Sequence, residues 1–176
     1  MSTRTPDRVV GTRMIPYAHA TLLLTVVHHV HGAVRYATPF RAHGAAVALA
    51  LSGVLAALAW AQRRAPDGPG GRVAGWAAAL LVLVVPVLTV GAFEGLYNHV
   101  LKVALYLVGA PEGLLPILFP PPVYQPPDDV FFELTGVLQV VPAALAAAAW
   151  PRFVRALLRG RAPGEARTVA APAARG

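Results

Sequence analysis

Residues 73–102, VAGWAAALLVLVVPVLTVGAFEGLYNHVLK, decide the fold class of this chain. The stretch from Val73 to Phe93 is almost wholly apolar, and as a helix it is long enough to cross about 30 Å of hydrocarbon. A helix that is apolar on every side indicates a membrane span or a fully buried core helix. Polar and ionisable side chains then arrive together at its end: Glu94, Asn98, His99 and Lys102.

The composition of the whole chain indicates a membrane protein. Apolar residues make up 56% of the 176 residues and charged residues only 13%, about half the share in soluble domains. Cysteine is absent, which excludes disulfides, thiolate metal sites and a cysteine nucleophile. The net charge of +7 comes from arginines that flank the apolar runs, so we expect no nucleic-acid partner and a lipid bilayer instead.

Four apolar runs predict four transmembrane helices, at residues 14–36, 44–61, 73–95 and 130–150. We therefore expect an all-α integral membrane protein, a four-transmembrane-helix bundle forming one domain over residues 1–159. A long proline-rich extracytoplasmic loop would join helices 3 and 4, and residues 160–176 would form a disordered basic cytoplasmic tail. A soluble helical bundle is the alternative, but the runs are too apolar for helices with a wet face.

The distribution of cations predicts the orientation. Four crossings place twelve of the 15 cations on the side of both termini, and only Arg35, Arg41 and Lys102 on the other side. The positive-inside rule then puts both termini in the cytoplasm. The abundance of Ala, Arg, Gly and Pro is typical of a GC-rich bacterial genome, so the expected location is the bacterial cytoplasmic (inner) membrane.

The third helix is predicted to be unusually long. It can continue to Val108, where Gly109 is a candidate C-cap, and would then measure about 52 Å. Because this length exceeds the bilayer, we expect the helix to kink at Pro86, to project from the membrane, or to fold onto its surface.

Ionisable side chains from three helices are predicted to reach one depth in the outer leaflet. His28 and His31 lie near the end of the first span, Glu94 near the end of the third, and Glu133 near the start of the fourth. A glycine lies beside each group on its own helix face, which indicates that these faces point into the bundle. Further candidates for this polar layer are Arg35, Asn98, His99, Lys102 and Asp129.

Imidazole and carboxylate groups gathered at one depth are typical ligands of a borderline metal such as Zn, Fe or Mn. The predicted metal ligands are His28, His31, Glu94 and Glu133. His29 is about 100° from His28 on an α-helix and is expected to serve a different face. His99 is about 140° from Glu94, so the two could share an ion only if the helix breaks at Gly95. Arg41 and His43 are expected in an interfacial loop.

Several functions remain open at this point, and no catalytic residue is assigned. The first is a membrane metalloenzyme that acts on a lipid or small amphiphile; an equal alternative is a metal-free protein for solute binding or proton-coupled transport. A haem protein with His28 or His31 and His99 as axial ligands is less favoured. The last is a structural accessory subunit whose histidines and acids only pair with their neighbours. A homo-oligomer would use a small-residue face at Ala48, Ser52 and Ala56.

Overall fold

The computed structural model describes residues 6–111, 113–120 and 126–159, with side chains described from residue 13 onward. This part of the chain is helical and contains no strand. The predicted tail at 160–176 and residues 121–125 of the proline-rich loop lie outside the described residues. The helices are α1 (Pro6–Arg35), α2 (Phe40–Arg64), α3 (Pro69–Leu107), the short α4 (Leu114–Leu118), and α5 (Val130–Arg159).

The four long helices pack against one another, with α1 touching both α2 and α5, and α3 touching the same two helices. Connections of four residues join α1 to α2 and α2 to α3, so sequential helices run in opposite directions. We call the end of the bundle that holds the C-terminal ends of α1 and α3 and the N-terminal ends of α2 and α5 the loop end. The hydrophobic core fills the opposite half of the structure and includes Met14, Leu22, Leu55, Val82 and Phe153.

Three helices, α2, α3 and α5, are long and apolar enough to cross a membrane. Their surfaces carry large exposed apolar side chains such as Leu49, Leu80 and Leu145, as expected of helices that face lipid. Helix α1 is not among the three, since its four histidines lower its hydropathy.

Helix α3 continues through Pro86 by widening. From Leu83 to Leu101 it is π-helical, so its turns close by hydrogen bonds between residues five apart. The Thr89 hydroxyl follows the same spacing and donates to the Val84 carbonyl at 2.9 Å. Over this segment the helix is therefore wider and rises less per residue than an α-helix, and the expected kink, projection or surface segment stays a prediction.

The end of α3 confirms a local prediction, and the start of α5 is capped by a side chain. Gly109 adopts a φ of 73°, and the amides of Gly109 and Ala110 donate to the carbonyls of Tyr106 and Leu105. This is the double hydrogen bond of a glycine-terminated helix. At the start of α5 the Asp129 carboxylate accepts from the Phe132 amide at 2.8 Å and caps the helix.

The small-residue face of α2 is used within the chain at two of its three positions. Ala48 is buried, and the Ser52 hydroxyl bonds the ring of His19 on α1 at 2.8 Å. Ala56 is exposed. Two of the three positions of this face are therefore engaged within the chain, and a homo-oligomer stays a prediction.

Candidate metal centre

Three side chains from two helices meet inside the loop end. His28 comes from α1, and Glu94 and His99 come from the π-helical part of α3. Each offers one ligand atom, and these atoms all lie within 4.8 Å of one another. Both histidines are almost fully buried and Glu94 is partly buried. We call His28, Glu94 and His99 the three-ligand group; its geometry could hold a metal ion.

Hydrogen bonding of the His28 ring leaves one nitrogen free to bind an ion. Its Nδ1 lies 3.1 Å from the Phe132 carbonyl oxygen and 3.1 Å from the Thr135 hydroxyl. Since a carbonyl can only accept, Nδ1 carries the hydrogen and Nε2 keeps its lone pair. That Nε2 lies 3.5 Å from the Glu94 carboxylate.

The His99 ring is held in the same way by an acid. Its Nδ1 donates to Glu133 Oε2 at 2.8 Å, and Lys102 Nζ donates to Glu133 Oε1 at 2.7 Å. A carboxylate that accepts from a histidine fixes the ring and leaves Nε2 available, as the outer shell of many metal sites does. Glu133 therefore supports His99, and both of its oxygens are engaged.

His29 contacts the Glu94 carboxylate, which also faces His28, so the expectation that His29 serves a different helix face is wrong. Its Nε2 lies 2.8 Å from Glu94 Oε1, and its Nδ1 lies 3.2 Å from the Arg41 carbonyl oxygen. Both ring nitrogens face acceptors, which the doubly protonated imidazolium satisfies. The two neighbouring histidines reach one acid because Glu94 lies between them on the facing helix.

The π-helix brings Glu94 and His99 onto one face. These residues are five apart, which would separate them by about 140° on an α-helix. In the widened helix, residues five apart lie nearly above one another. A break at Gly95, which the sequence seemed to require, is therefore unnecessary.

Glycines let the site helices approach closely. A Cβ on Gly136 of α5 would overlap the His99 ring, and one on Gly44 of α2 would overlap the His29 ring. A Cβ on Gly95 would lie 2.8 Å from Val140. The glycines that the sequence placed beside the polar groups thus lie at helix contacts, and Gly136 forms the surface on which His99 rests.

The other predicted ligands lie outside the three-ligand group. His31 Nε2 lies 3.1 Å from Asp129, and Arg35 Nε donates to the same carboxylate at 3.0 Å. Asn98 is half-buried and forms no hydrogen bond with the described side chains. The structure thus brings together His28, Glu94 and His99, sets Glu133 behind His99, and places His31 with Asp129.

Two groups at the ends of the helices have shifted acidities. The Phe132 amide holds the pKa of Asp129 below its usual value, and His31 and Arg35 act in the same direction. Burial raises the pKa of Tyr36, and the charge of Asp128 raises it further. Asp129 is therefore held in its charged form, whereas Tyr36 keeps its phenolic proton.

Arg41 was placed in a loop by the sequence, but the structure shows it buried in the first turn of α2. It is 6% exposed, and its guanidinium carbon lies 4.9 Å from the centre of the Phe132 ring. The sequence signal was a single cation beside the α1–α2 connection, which does not distinguish a headgroup contact from a buried group.

The geometry argues against a haem held between His28 and His99. The two ring centres lie 4.6 Å apart and meet edge to face. A porphyrin must fit between two axial ligands on opposite sides of its iron, and this spacing leaves no room for it.

Comparison with known proteins gives no assignment. No family model matches the chain, and neither curated proteins nor solved structures show a significant match.

Proposed function

We propose that this chain is an integral membrane metalloprotein of the bacterial inner membrane, with one metal ion held by the three-ligand group. The proposal includes α1 as a fourth span beside α2, α3 and α5, and places both termini in the cytoplasm. The observation that carries it is the approach of three ligand atoms within 4.8 Å in a buried setting. Intramembrane ionisable groups are costly and are usually retained for function.

The ligand set favours Zn, Fe or Mn. Two imidazole nitrogens and one carboxylate match catalytic zinc sites and the facial arrangement of non-haem iron. Three protein ligands leave a coordination position for water or substrate, so the site supports an enzyme more readily than a purely structural metal. Such an ion would lower the pKa of its bound water and polarise a substrate oxygen.

An apolar groove next to the site supports a lipid or small amphiphile as substrate. It has a volume of about 310 Å³ and lies between the ends of α3 and α5. Its lining is Val103, Pro127, Val130, Glu133, Leu134 and Val137. Glu133 is the single charged residue of this lining and contacts His99, so an acyl chain in the groove would end beside the metal ligands.

Elemental analysis of detergent-purified protein tests the proposal. We expect about one ion per chain in the wild type and a loss of at least tenfold in His28→Ala and Glu94→Gln, which each remove a ligand. His31→Ala is the matched control, since this histidine is on the same helix but outside the three-ligand group. Equal metal content in wild type and both ligand variants would contradict the proposal.

A second candidate is metal-free proton handling, favoured by a line of buried polar groups that continues from His28 along α1 and α5. Thr25 Oγ1 lies 3.2 Å from Gln139 Oε1, and Gln139 is fully buried. Gln139 Nε2 has no partner among the described residues. Such a line could hold water and carry protons into the membrane.

Proton uptake by proteoliposomes distinguishes this candidate. If the polar line carries protons, Gln139→Leu should abolish uptake. Uptake that is absent in the wild type, or unchanged in the variant, would eliminate the proton role.

A further inference from the structure

Arg41 is a buried cation without an anionic partner among the described residues. It is 6% exposed, and no carboxylate of the described chain lies within ion-pairing distance of its guanidinium. Its Nη1 is buried and has no hydrogen-bond partner in this part of the chain. A buried charge left in this state is unfavourable, which points to a ligand that is bound when the protein works.

The Phe132 ring links the Arg41 guanidinium to the three-ligand group. Its carbon lies 4.9 Å from the centre of the Phe132 ring, and that ring stacks on His28 at 4.1 Å. A Cβ on Gly32, one turn from His28, would lie 2.9 Å from Nη1. The Arg41 carbonyl also accepts from His29, so both ends of this residue contact a neighbour of the three-ligand group.

The charges around the site call for an anion. Arg41 and Lys102 supply two positive charges, and Glu94 and Glu133 supply two negative ones. A divalent ion would leave an excess of two positive charges. Guanidinium groups prefer the oxygens of carboxylates and phosphates, and of these a phosphate brings up to two negative charges.

We propose that Arg41 binds a phosphate oxygen of the substrate and holds it beside the metal ion. This inference rests on the proposed function and narrows its substrate class to a phosphate-bearing molecule. The phosphate could belong to a lipid headgroup or to a soluble compound, since Arg41 would recognise the same oxygens in either.

Phosphate binding by full-length purified protein tests this assignment. In detergent, the probe is inorganic phosphate; in lipid, it is phosphatidic acid in nanodiscs, compared with nanodiscs of galactolipid alone. The readout is the thermal unfolding midpoint as a function of probe concentration. Stabilisation by inorganic phosphate identifies a soluble source, and stabilisation by phosphatidic acid alone identifies a lipid headgroup.

Arg41→Met removes the charge and keeps the aliphatic stem. We expect it to weaken phosphate binding at least tenfold, the loss expected for a charge-assisted hydrogen bond. Arg64→Met is the matched control because Arg64 lies on the same helix, also over an aromatic ring, but is exposed. It should bind the probe like the wild type.

Metal content measured on the same samples separates the two proposals. Wild-type protein that holds metal but is stabilised by neither probe would overturn the Arg41 assignment and leave the metal site standing. Equal probe binding by wild type and Arg41→Met would overturn it as well. Protein without metal that still loses phosphate binding in Arg41→Met would overturn the metal site and leave the Arg41 assignment standing.

Discussion

At the scale of single residues, the site depends on which nitrogen of each histidine is free. Phe132 and Glu133 accept from Nδ1 of His28 and His99, so Nε2 of each ring is left free to bind an ion. These acceptors belong to α5, whereas the ligands belong to α1 and α3. One helix therefore orients the ligands that two others supply, as the outer shell of a metal site does.

Gly136→Ala should disrupt the site without touching a ligand. The added Cβ would overlap the His99 ring, so the ring must move from its position against α5. We expect metal content to fall and stability to decrease by about 1–3 kcal/mol, the usual cost of overpacking. Thermal unfolding and elemental analysis measure both. Gly53→Ala is the control because open space surrounds that position, and the same losses in both variants would contradict the account.

The sequence predicted some site residues better than others for a definite reason. His28 and Glu94 were found because depth along a helix depends only on residue number. His99 was set aside because α-helical angles place it away from Glu94, and the widening of α3 was not visible in the residue pattern. The assignment of His31 and Glu133 as ligands stays a prediction; in the structure they contact Asp129 and His99.

At the scale of helices, the π-helical segment of α3 builds the centre. Its buried residues lie on one side of the segment: Pro86, the neighbouring pair Val90 and Gly91, then Gly95 and His99. This spacing keeps one face against α5 over the whole segment, with Gly91 beside Ala143 and Gly95 beside Val140. Wide turns of this kind are rare and often mark functional sites.

Changing the length of α3 by one residue tests the role of the wide turns. Deleting the exposed Leu96 leaves Glu94 and His99 four apart, which places them on one face of an ordinary α-helix. Inserting an alanine after Leu96 makes them six apart and turns His99 away. We therefore expect the deletion to keep the metal and the insertion to lose at least tenfold in metal content.

Size-exclusion chromatography checks that both length variants remain monodisperse before metal is measured. Metal retained by the insertion, or lost from the deletion, would show that the spacing of these two residues does not set the geometry.

The start of α5 should respond to acid through Asp129. Because its folded pKa is lowered, its charged form stabilises the fold above the ordinary value of 3.8, and this contribution disappears as the pH falls through the folded pKa. Asp129→Asn keeps a cap but loses the charge that faces His31 and Arg35, at a cost of roughly 0.5–1 kcal/mol at neutral pH.

Thermal unfolding of metal-stripped protein at several pH values measures this effect. The gap between wild type and Asp129→Asn should close below pH 3.8. Asp67→Asn, in an exposed connection, should show no comparable gap. A gap that stays constant with pH would mean that the Asp129 charge does not support the helix.

At the scale of the whole molecule, the helical class and three candidate spans follow from composition and run length alone. The four histidines of α1 lower its hydropathy. The side chains proposed to give this helix its function are therefore also the ones that hide it from a hydropathy-based search for spans. The position of α1 in a bilayer and the direction of the termini depend on the membrane as well as on the chain.

Single cysteines test the proposed orientation, since the natural chain has none. Gly113→Cys lies in the connection between α3 and α5, and Asp67→Cys in the one between α2 and α3. A membrane-impermeant maleimide should label only Gly113→Cys in intact spheroplasts and both variants after lysis. Labelling of Asp67→Cys alone in intact cells would reverse the topology.

The most direct test of the central claim is anomalous diffraction from crystals of metal-loaded protein, recorded at the absorption edge of the bound element. The account predicts one peak about 2.0–2.2 Å from Nε2 of His28, Nε2 of His99 and a carboxylate oxygen of Glu94. A peak beside His31 and Asp129 instead, or no peak within bonding distance of the three-ligand group, would contradict it.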